Sequence, residues 1–177
     1  MNFLINFLGK IEYLLSILQG KGFGAARISL FFESKKALGF FNGSKKITVF
    51  DVGGNIGEYS EKILSLNQNS QITIFEPSKK NAKKLKYKFK DSKKIKIENM
   101  GINSKNGYFK LYYDKMGSPL ASLSKRSFLG SSKKVKGYEK VKFITLERYM
   151  KKNKFSKIDL LKLDVEGHEL QCLLSAK

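Results

Sequence analysis

Apolar and polar positions follow two different patterns along the chain. In residues 1–18, apolar side chains recur every three or four positions, which predicts an amphipathic helix. A weaker helical pattern covers residues 25–38. From residue 46 onward, short apolar runs rich in β-branched residues alternate with helical patterns. We therefore expect an N-terminal helical extension, residues 1–45, followed by one domain, residues 46–177.

The apolar stretch at the N-terminus is interrupted by Lys10 and Glu12, so it falls short of the roughly 20 residues that a membrane span needs. We expect residues 1–18 to pack on the chain's own domain. Attachment to a membrane surface and docking on a partner protein are the alternatives. Membrane attachment predicts that deleting these residues abolishes association with liposomes.

The first half of the domain has the order of a parallel α/β sheet. Strands are predicted at residues 47–52, 71–75 and 95–98, with helices at residues 58–66 and 79–89 between them. This alternation of buried strands and helices favours parallel strands with helices on the faces of the sheet. Ser78 is predicted to cap the second of these helices.

The second half of the domain is less regular. Strands are predicted at residues 108–113 (antiparallel or edge), 140–144 and 158–164, with helices at residues 146–152 and after residue 165. Leu170, Leu173 and Leu174 are expected to form the inward face of the last helix. Residues 114–137 form a long polar loop rich in glycine, serine and lysine, which is our candidate for a lid over the acceptor site.

A glycine-rich turn follows the first strand directly and leads into a helix. It contains Gly53, Gly54, Asn55 and Gly57. A strand, a glycine turn and a helix in this order bring backbone N–H groups and a helix N-terminus to the carboxyl edge of the sheet, where parallel sheets bind ligands. The glycines allow close approach of a ligand and tight packing of the strand on the helix.

Two carboxylates belong to the same edge of the sheet. Asp51 lies at the end of the first strand and Glu76 at the end of the second. A carboxylate in the second place accepts the hydroxyl groups of a ribose, which predicts a nucleoside pocket. Neither the G-x-G-x-x-G dinucleotide fingerprint nor a G-x-x-x-x-G-K-S/T phosphate loop is present in the sequence. A carboxylate in the site suits the positively charged S-adenosylmethionine better than a pyrophosphate.

Three segments resemble, in order, the motifs of FkbM-type S-adenosylmethionine-dependent methyltransferases. Residues 51–60 (DVGGNIGEYS) resemble the first motif, residues 75–78 (FEPS) the second, and residues 161–170 (LKLDVEGHEL) the most distinctive one. The resemblance implies an α/β fold with the mostly parallel, Rossmann-like sheet of class I methyltransferases. The sequence ends one helix after its fourth core strand, so we expect a sheet that is truncated at its C-terminal end.

The resemblance also implies roles for individual residues. The residues implied to bind S-adenosylmethionine are Asp51, Gly53, Gly54, Asn55 and Gly57 around its methionine part, Glu76 at its ribose, and Asn99 and Met100 near its adenine. Gly54 stands where the family often has alanine, a difference that we expect to be harmless.

Asp164, Glu166 and His168 are implied to face the transferred methyl group. Asp164 and Glu166 lie at positions i and i+2, hence on one face if the strand stays extended there. Either carboxylate, or His168, is a candidate base for removing the proton of an acceptor hydroxyl. Alternatively, the acidic residues only favour the dipole of the next helix, and His168 is structural. A metal ion held by Asp164 and Glu166 is the least favoured interpretation, and we predict none.

The composition excludes several classes of protein. The 177 residues suffice for one domain of ordinary size, 41% of them are hydrophobic, and the 2 prolines exclude collagen-like structure. Cys172, the single cysteine, cannot form an internal disulfide; we expect it to be a small buried group, and we expect a cytoplasmic location. His168 is the single histidine, which excludes any site that needs two.

The formal net charge of +20 bears on the acceptor of the methyl group. Among the 35 basic residues, only Arg27, Arg126 and Arg148 are arginine. Because specific recognition of phosphates and bases favours arginine, the excess of lysine is weak support for a nucleic-acid partner. The resemblance to the FkbM-type methyltransferases implies O-methylation of a small molecule or a glycan. An RNA methyltransferase whose lysines contact phosphates is the first alternative. An inactive, truncated remnant that only binds the cofactor is the second.

Overall fold

The computed structural model describes residues 27–41, 45–124 and 134–176 of the chain. The helices are α1 (Arg27–Leu38), α2 (Glu58–Leu66), α3 (Lys79–Lys88), α4 (Leu146–Lys152) and α5 (Glu169–Leu174). The strands are β1 (Thr48–Val52), β2 (Gln71–Phe75), β3 (Ile95–Glu98), β4 (Gly101–Ile102), β5 (Gly107–Tyr113), β6 (Gly137–Ile144) and β7 (Leu160–Leu163). The predicted helix over residues 1–18 and part of the predicted lid, residues 125–133, lie outside the described residues.

Sheet A is the centre of the fold. In the described residues it has four parallel strands in the order β3-β2-β1-β7. Val52 at the end of β1 lies beside Phe75 of β2 on one side and Leu163 of β7 on the other. The chain changes from one side of β1 to the other, which opens a crevice at the carboxyl ends of the strands. The predicted α/β fold with a mostly parallel, Rossmann-like sheet is therefore confirmed.

Helices cover both faces of sheet A, which explains why the last four residues of β1 and of β2 are all buried rather than alternately buried and exposed. On one face, α1, α2 and α3 pack over a core formed by Ile47, Val49, Tyr59, Ile63, Ile72, Ile74, Leu85 and Ile95. On the other face, α4 and α5 pack over a core formed by Phe50, Val52, Phe75, Ile102, Ile144, Leu146, Tyr149 and Cys172. Within the described ranges, no helix has both the length and the apolar character that a membrane span requires.

Sheet B packs beside the crevice. It joins β4, β6 and β5 in that order, and β5 runs antiparallel to β6 from Gly107 opposite Phe143 to Tyr113 opposite Gly137. β5 is an outer strand, as predicted, whereas the two-residue strand β4 was not predicted. Leu111, Val141 and Phe143 point inward and form a third small core.

The outward side of β5 and β6 is a surface of tyrosines and lysines, which we call the lysine–tyrosine face. Its members are Tyr108, Lys110, Tyr112, Tyr138, Lys140 and Lys142, which lie opposite one another in three cross-strand pairs. The Lys110 Nζ atom lies 4.5 Å from the centre of the Tyr138 ring, and Lys140 Nζ lies 5.6 Å from that of Tyr108. None of these six side chains is acidic.

Most predicted elements are observed close to their predicted bounds. Helices α2 and α4 have the predicted bounds, and α3 ends one residue early, at Lys88. The last strand is shorter than the predicted residues 158–164, because only Leu160–Leu163 pair with β1. Ser78 precedes α3 as predicted, but its side chain makes no capping hydrogen bond. Its backbone N–H donates instead to Glu76.

The predicted inward face of the last helix is wrong. Leu170, Leu173 and Leu174 are exposed, whereas Cys172 is fully buried and its Sγ lies 3.2 Å from the carbonyl oxygen of Ile102. A helix turns by about 100° per residue, so a helix that directs Cys172 inward directs Leu170 and Leu174 away from the core. The prediction of a buried cysteine is confirmed, and burial raises the pKa of its thiol to about 12.

Candidate active site

The turn after β1 is pressed against the end of β7. Gly53 has φ of 84°, and a Cβ atom there would lie 2.0 Å from the backbone oxygen of Asp164. The backbone N–H of Asp164 in turn donates to the carbonyl oxygen of Val52 at 3.0 Å. Only glycine combines the left-handed backbone with this close approach. Gly53 therefore brings the glycine turn and the 164–168 segment together on one site.

Glu76 is a buried carboxylate at the end of β2. It is 6% exposed, and each of its oxygens accepts one backbone N–H, from Asn55 to Oε2 and from Ser78 to Oε1, both at 2.8 Å. Burial raises its pKa to about 7, although the two N–H donors act in the opposite direction. The negative charges of Asp51 and Glu139 raise it further. The carboxyl group therefore has a fixed position and titrates near neutral pH.

Asn55 links the glycine turn to helix α3. It has a left-handed backbone with φ of 48°, and its Oδ1 accepts a hydrogen bond from Asn81 Nδ2 at 3.0 Å. Asn81 lies in the first half of α3 and is almost completely buried. The sequence analysis did not identify Asn81. Its position four residues before the buried Leu85 was the available signal, because i and i+4 share one face of a helix.

A cavity of about 590 Å³, partly open to solvent, lies over these groups. Its walls come from the turn after β1, the segment after β2, the start of sheet B, residues 118–123 and residues 164–168. Its lining residues are Val52, Gly53, Asn55, Glu76, Pro77, Asn81, Gly101, Ile102, Leu111, Ser118, Pro119, Ala121, Ser122, Leu123, Phe143, Asp164, Val165, Glu166 and His168. The structure thus brings together six predicted site residues: Gly53, Asn55, Glu76, Asp164, Glu166 and His168.

Asp51 does not line this cavity. It is fully buried beneath the turn, where Ser60 Oγ donates to its Oδ2 at 2.6 Å and Lys162 Nζ lies 3.7 Å from its Oδ1. Burial raises the pKa of Asp51, and the positive charge of Lys162 opposes that shift. The ammonium of Lys162 also lies 3.1 Å from Asp164 Oδ2. Lys162 therefore joins the buried carboxylate to one on the cavity wall.

Gly54 and Gly57 serve packing in this structure rather than the cavity wall. A Cβ atom on Gly54 would lie 2.2 Å from Ile74 Cγ2, and one on Gly57 would lie 2.6 Å from the Phe89 ring. Alanine at position 54 would therefore require Ile74 to shift, so glycine is the residue that fits this packing. Our expectation that the difference from the family is harmless stays a prediction.

Asn99 and Met100 also lie outside the cavity wall. The amide nitrogen of Asn99 donates to the carbonyl oxygens of Glu76 at 2.9 Å and Pro77 at 3.0 Å, so Asn99 supports the backbone after β2. Met100 packs against the core on the α4 and α5 face. The next two residues, Gly101 and Ile102, form β4 and line the cavity instead.

The segment after β7 is not extended, so the condition under which Asp164 and Glu166 would share one face is not met. Glu166 has φ of 54° and Gly167 has φ of 91°, so the alternation of faces in a strand does not apply to Asp164 and Glu166. Glu169 Oε1 accepts the backbone N–H groups of Val165 at 3.2 Å and Gly167 at 3.1 Å. Partial burial would raise the pKa of Glu169, but these N–H donors lower it. Glu169 therefore holds the turn that carries Glu166 and His168 on the cavity wall.

No cluster of three or more histidine, cysteine, aspartate or glutamate side chains that could hold a metal ion occurs in residues 27–41, 45–124 and 134–176. Two carboxylates of the cavity, Glu76 and Asp164, are instead held by protein donors, two backbone N–H groups and an ammonium respectively. The carboxyl oxygens of the site are suited to a ligand with hydroxyl groups.

Comparisons with known proteins agree with this geometry. The model of the methyltransferase FkbM domain matches residues 51–177, which include the glycine turn, Glu76 and the 164–168 segment. Neither the curated proteins nor the solved structures contain a match to the chain. The family match covers most of the chain and every wall of the cavity, so the protein is a methyltransferase that belongs to the FkbM family.

Proposed function

We propose that this protein transfers a methyl group from S-adenosylmethionine to an oxygen atom of a small molecule or a glycan. The observation that carries the proposal is the buried Glu76 carboxylate, held by two backbone N–H donors in a cavity whose wall also includes Asp164, Glu166 and His168. Membership of a methyltransferase family requires a methyl donor, and S-adenosylmethionine is the donor that the chemistry of this cavity fits.

The lining of the cavity suits an adenosyl group. Ile102, Leu111 and Phe143 supply an apolar wall for a flat ring, and the Glu76 carboxylate is an acceptor for ribose hydroxyls. The carboxyl groups of Glu76 and Asp164 also disfavour a pyrophosphate, which either of them repels when it is ionised.

Bound S-adenosylmethionine would supply a methyl group for in-line transfer to an acceptor oxygen, with the electron pair of the broken C–S bond left on sulfur. The chain's own residues then have to position the acceptor and take up its hydroxyl proton. Asp164, Glu166 and His168 lie on the same wall of the cavity and are the candidates for that role. Asp164 Oδ2 also lies 3.1 Å from the ammonium of Lys162.

Calorimetric titration of S-adenosylmethionine into the full chain tests the donor. We expect binding that Glu76→Ala weakens at least about tenfold, because it removes an acceptor from a buried site. Glu61→Ala is the control, since Glu61 is an exposed carboxylate on α2 that pairs with Lys88. A folded wild-type chain that does not bind S-adenosylmethionine would refute the proposal.

Transfer itself is tested with radiolabelled methyl donor and panels of hydroxylated small molecules and glycans. Incorporation of label that is stable to mild base indicates an ether and supports O-methylation. Binding of the donor without transfer to any acceptor class would contradict the catalytic part of the proposal and favour a cofactor-binding remnant.

RNA is a second candidate acceptor, and the lysine–tyrosine face is the observation that favours it. Aromatic rings that can stack on bases, next to ammonium groups that can pair with phosphates, are typical of surfaces that bind single strands. Binding of a single-stranded RNA oligonucleotide should then weaken steeply with salt. It should also weaken when Lys110, Lys140 and Lys142 are all changed to glutamine. Binding that neither salt nor this triple change affects would argue against RNA.

A further inference from the structure

Helix α3 presents a strongly basic surface to solvent. Residues 79–96 contain ten lysines and one acidic residue, Asp91, so about a tenth of the chain carries nearly half of its net charge of +20. The lysines of α3 are all exposed, whereas Asn81, Ala82 and Leu85 are buried against the sheet. We call the exposed side of this helix, with the residues just after it, the α3 lysine face. Its members are Lys79, Lys80, Lys83, Lys84, Lys86, Tyr87, Lys88 and Lys90.

Most of the positive charge on the α3 lysine face is not neutralised by the protein. Lys88 Nζ lies 2.9 Å from Glu61 Oε2 on α2. The other six lysines of the face form no salt bridge with the described residues. Lys80, Lys84 and Lys88 follow one another at positions i, i+4 and i+8 of the helix, where like charges repel. A row of cations that repel one another is stabilised by an anionic partner.

Tyr87 lies in the middle of the α3 lysine face, and its side chain is 77% exposed. Lys83 and Lys84 lie one helical turn before it. Lys90 Nζ lies 5.6 Å from the centre of the Tyr87 ring. A tyrosine has an apolar ring and a polar hydroxyl, and is therefore enriched at the headgroup level of lipid bilayers. The face thus combines positive charge with a residue suited to a membrane surface.

We propose that the α3 lysine face binds the surface of a membrane that contains anionic phospholipids. A helix with about four to eight basic residues close together is typical of this binding, because each cation is attracted by the negative surface potential. The attraction needs no fixed contact geometry, so lysine serves it without arginine. The apolar side of α3 is buried in the core under sheet A, so the contact is electrostatic and the helix does not insert.

The shape of the α3 lysine face favours a membrane over a nucleic acid. Proteins that bind single strands combine a basic groove with several aromatic rings on which successive bases stack. The α3 lysine face lies on the convex side of one helix and carries one aromatic ring, that of Tyr87. A planar array of headgroups meets a convex row of cations without any groove.

The α3 lysine face begins at the rim of the candidate active site. Asn81, in the first turn of α3, lines the cavity. A Cβ atom on Gly117 would lie 3.1 Å from Lys80 Cδ, and the residues after Gly117, Ser118 and Pro119, also line the cavity. Binding along α3 therefore keeps the cavity close to the headgroups.

Sedimentation of the full chain with lipid vesicles tests the proposal. We expect the chain to bind vesicles of phosphatidylcholine mixed with phosphatidylserine, and not vesicles of phosphatidylcholine alone. Raising the salt from about 0.1 to about 1 M should abolish this binding, because it shortens the screening length from about 10 to about 3 Å. Changing Lys83, Lys84, Lys86 and Lys90 together to glutamine should weaken binding at least about tenfold, since each lysine close to the surface contributes about fivefold.

A matched control removes the same charge on the other side of sheet A. Lys151, Lys152, Lys154 and Lys157 are exposed lysines on α4 and in the segment after it. Changing these four to glutamine should weaken vesicle binding less than about threefold, because they lie away from the proposed contact. Circular dichroism checks that both fourfold variants are folded.

A fluorescence measurement locates the contact directly. The sequence contains no tryptophan, so one introduced tryptophan reports on a single position. Emission from Tyr87→Trp should shift to the blue when vesicles with phosphatidylserine are added. Emission from Tyr108→Trp, at a position that is 66% exposed on the lysine–tyrosine face, should not shift.

Five results would decide against the inference. The first is a folded wild-type chain that does not bind vesicles with phosphatidylserine. The second is an equal loss in both fourfold variants, which would show that net charge alone attracts the vesicles. The third is a blue shift from Tyr108→Trp and not from Tyr87→Trp.

The other two results would name a different contact. Equal binding to both kinds of vesicle would assign the contact to the apolar residues 1–18. Binding of a single-stranded RNA oligonucleotide that the α3 variant abolishes, without binding of vesicles, would assign the face to a nucleic acid. None of these measurements uses a methyl donor or an acceptor, so the proposed function is tested separately.

Discussion

Replacing Glu76 by glutamine should remove a large part of the pH dependence of the chain's stability. Glu76 is buried, and its pKa is raised from 4.5 to about 7. Between these values the folded chain holds the proton more tightly than the unfolded chain does. The stabilisation that this bound proton gives the folded chain is therefore fully present below pH 4.5 and is lost as the pH rises through 7. Glutamine occupies the same volume and does not titrate.

The magnitude follows from linkage between protonation and folding. For a group with pKa of about 7 when folded and 4.5 when unfolded, the free energy of unfolding falls by about 2.5 kcal/mol between pH 5 and pH 8. The wild-type chain should lose that much more stability over this interval than Glu76→Gln. In a chain of this length, that corresponds to about 5–10 °C in the thermal midpoint. The variant also loses one of the two backbone hydrogen bonds to this side chain, but that loss is the same at every pH and cancels from the difference.

Urea unfolding followed by circular dichroism at pH 5, 6, 7 and 8 measures both free energies. Glu61→Gln is the control, because it removes the same charge from an exposed position on α2 and should leave the pH dependence of the wild type nearly unchanged. A difference between wild type and Glu76→Gln below about 0.5 kcal/mol, or of opposite sign, would refute the reasoning, because it would mean that burial does not hold a proton on Glu76.

Gly53→Ala should destabilise the chain by at least about 2 kcal/mol in urea unfolding, because its Cβ would lie 2.0 Å from the backbone oxygen of Asp164 in a left-handed backbone. A smaller loss would show that the turn after β1 can move away from the end of β7. Lys162→Met should lower the free energy of unfolding by about 3 kcal/mol at pH 8 and by less at pH 5. The reason is that the buried Asp51 loses its cation and must take up a proton. An equal loss of stability at both pH values would count against this pairing. Adding Asp51→Asn to Lys162→Met should restore most of the lost stability. Cys172 should react with a thiol reagent at pH 8 only after unfolding, because it is buried and its pKa is about 12; fast labelling of the folded chain would contradict its burial.

The parts of the fold that depend on short sequence signals were predicted well. Buried β-branched runs and glycine turns are local, so β1, β2 and the helices after them were found within a residue or two of their observed bounds. Glu76 and Gly53 were predicted to lie at the candidate site because each follows a strand end, and both line the cavity. The orientation of α5 was predicted wrongly, because the apolar pattern gave three leucines more weight than one cysteine. In the structure the cysteine is buried and the leucines are exposed.

The rest of the site depends on contacts between distant segments, which no local pattern records. Asn81 reaches the cavity through its bond to Asn55, 26 residues earlier in the chain. Leu111 and Phe143 reach it because sheet B folds against the crevice. The turn at Glu166 is held by the backbone N–H groups of Val165 and Gly167, which donate to Glu169, and the left-handed backbone of Glu166 was not predicted from the sequence.

The pairing of β1 with β7 has a consequence for the order in which the site is made. The hydrogen bond from the N–H of Thr48 to Asp159 closes a loop of 111 residues, whereas β1 and β2 meet across a single helix. Closing a long loop costs more chain entropy and is slower than local pairing. Strands β1, β2 and β3 can therefore associate while the rest of the chain is still being synthesised, but the wall that carries Asp164 forms only when β7 arrives. Ligand binding thus reports on the pairing of β7 with β1 rather than on the association of β1, β2 and β3.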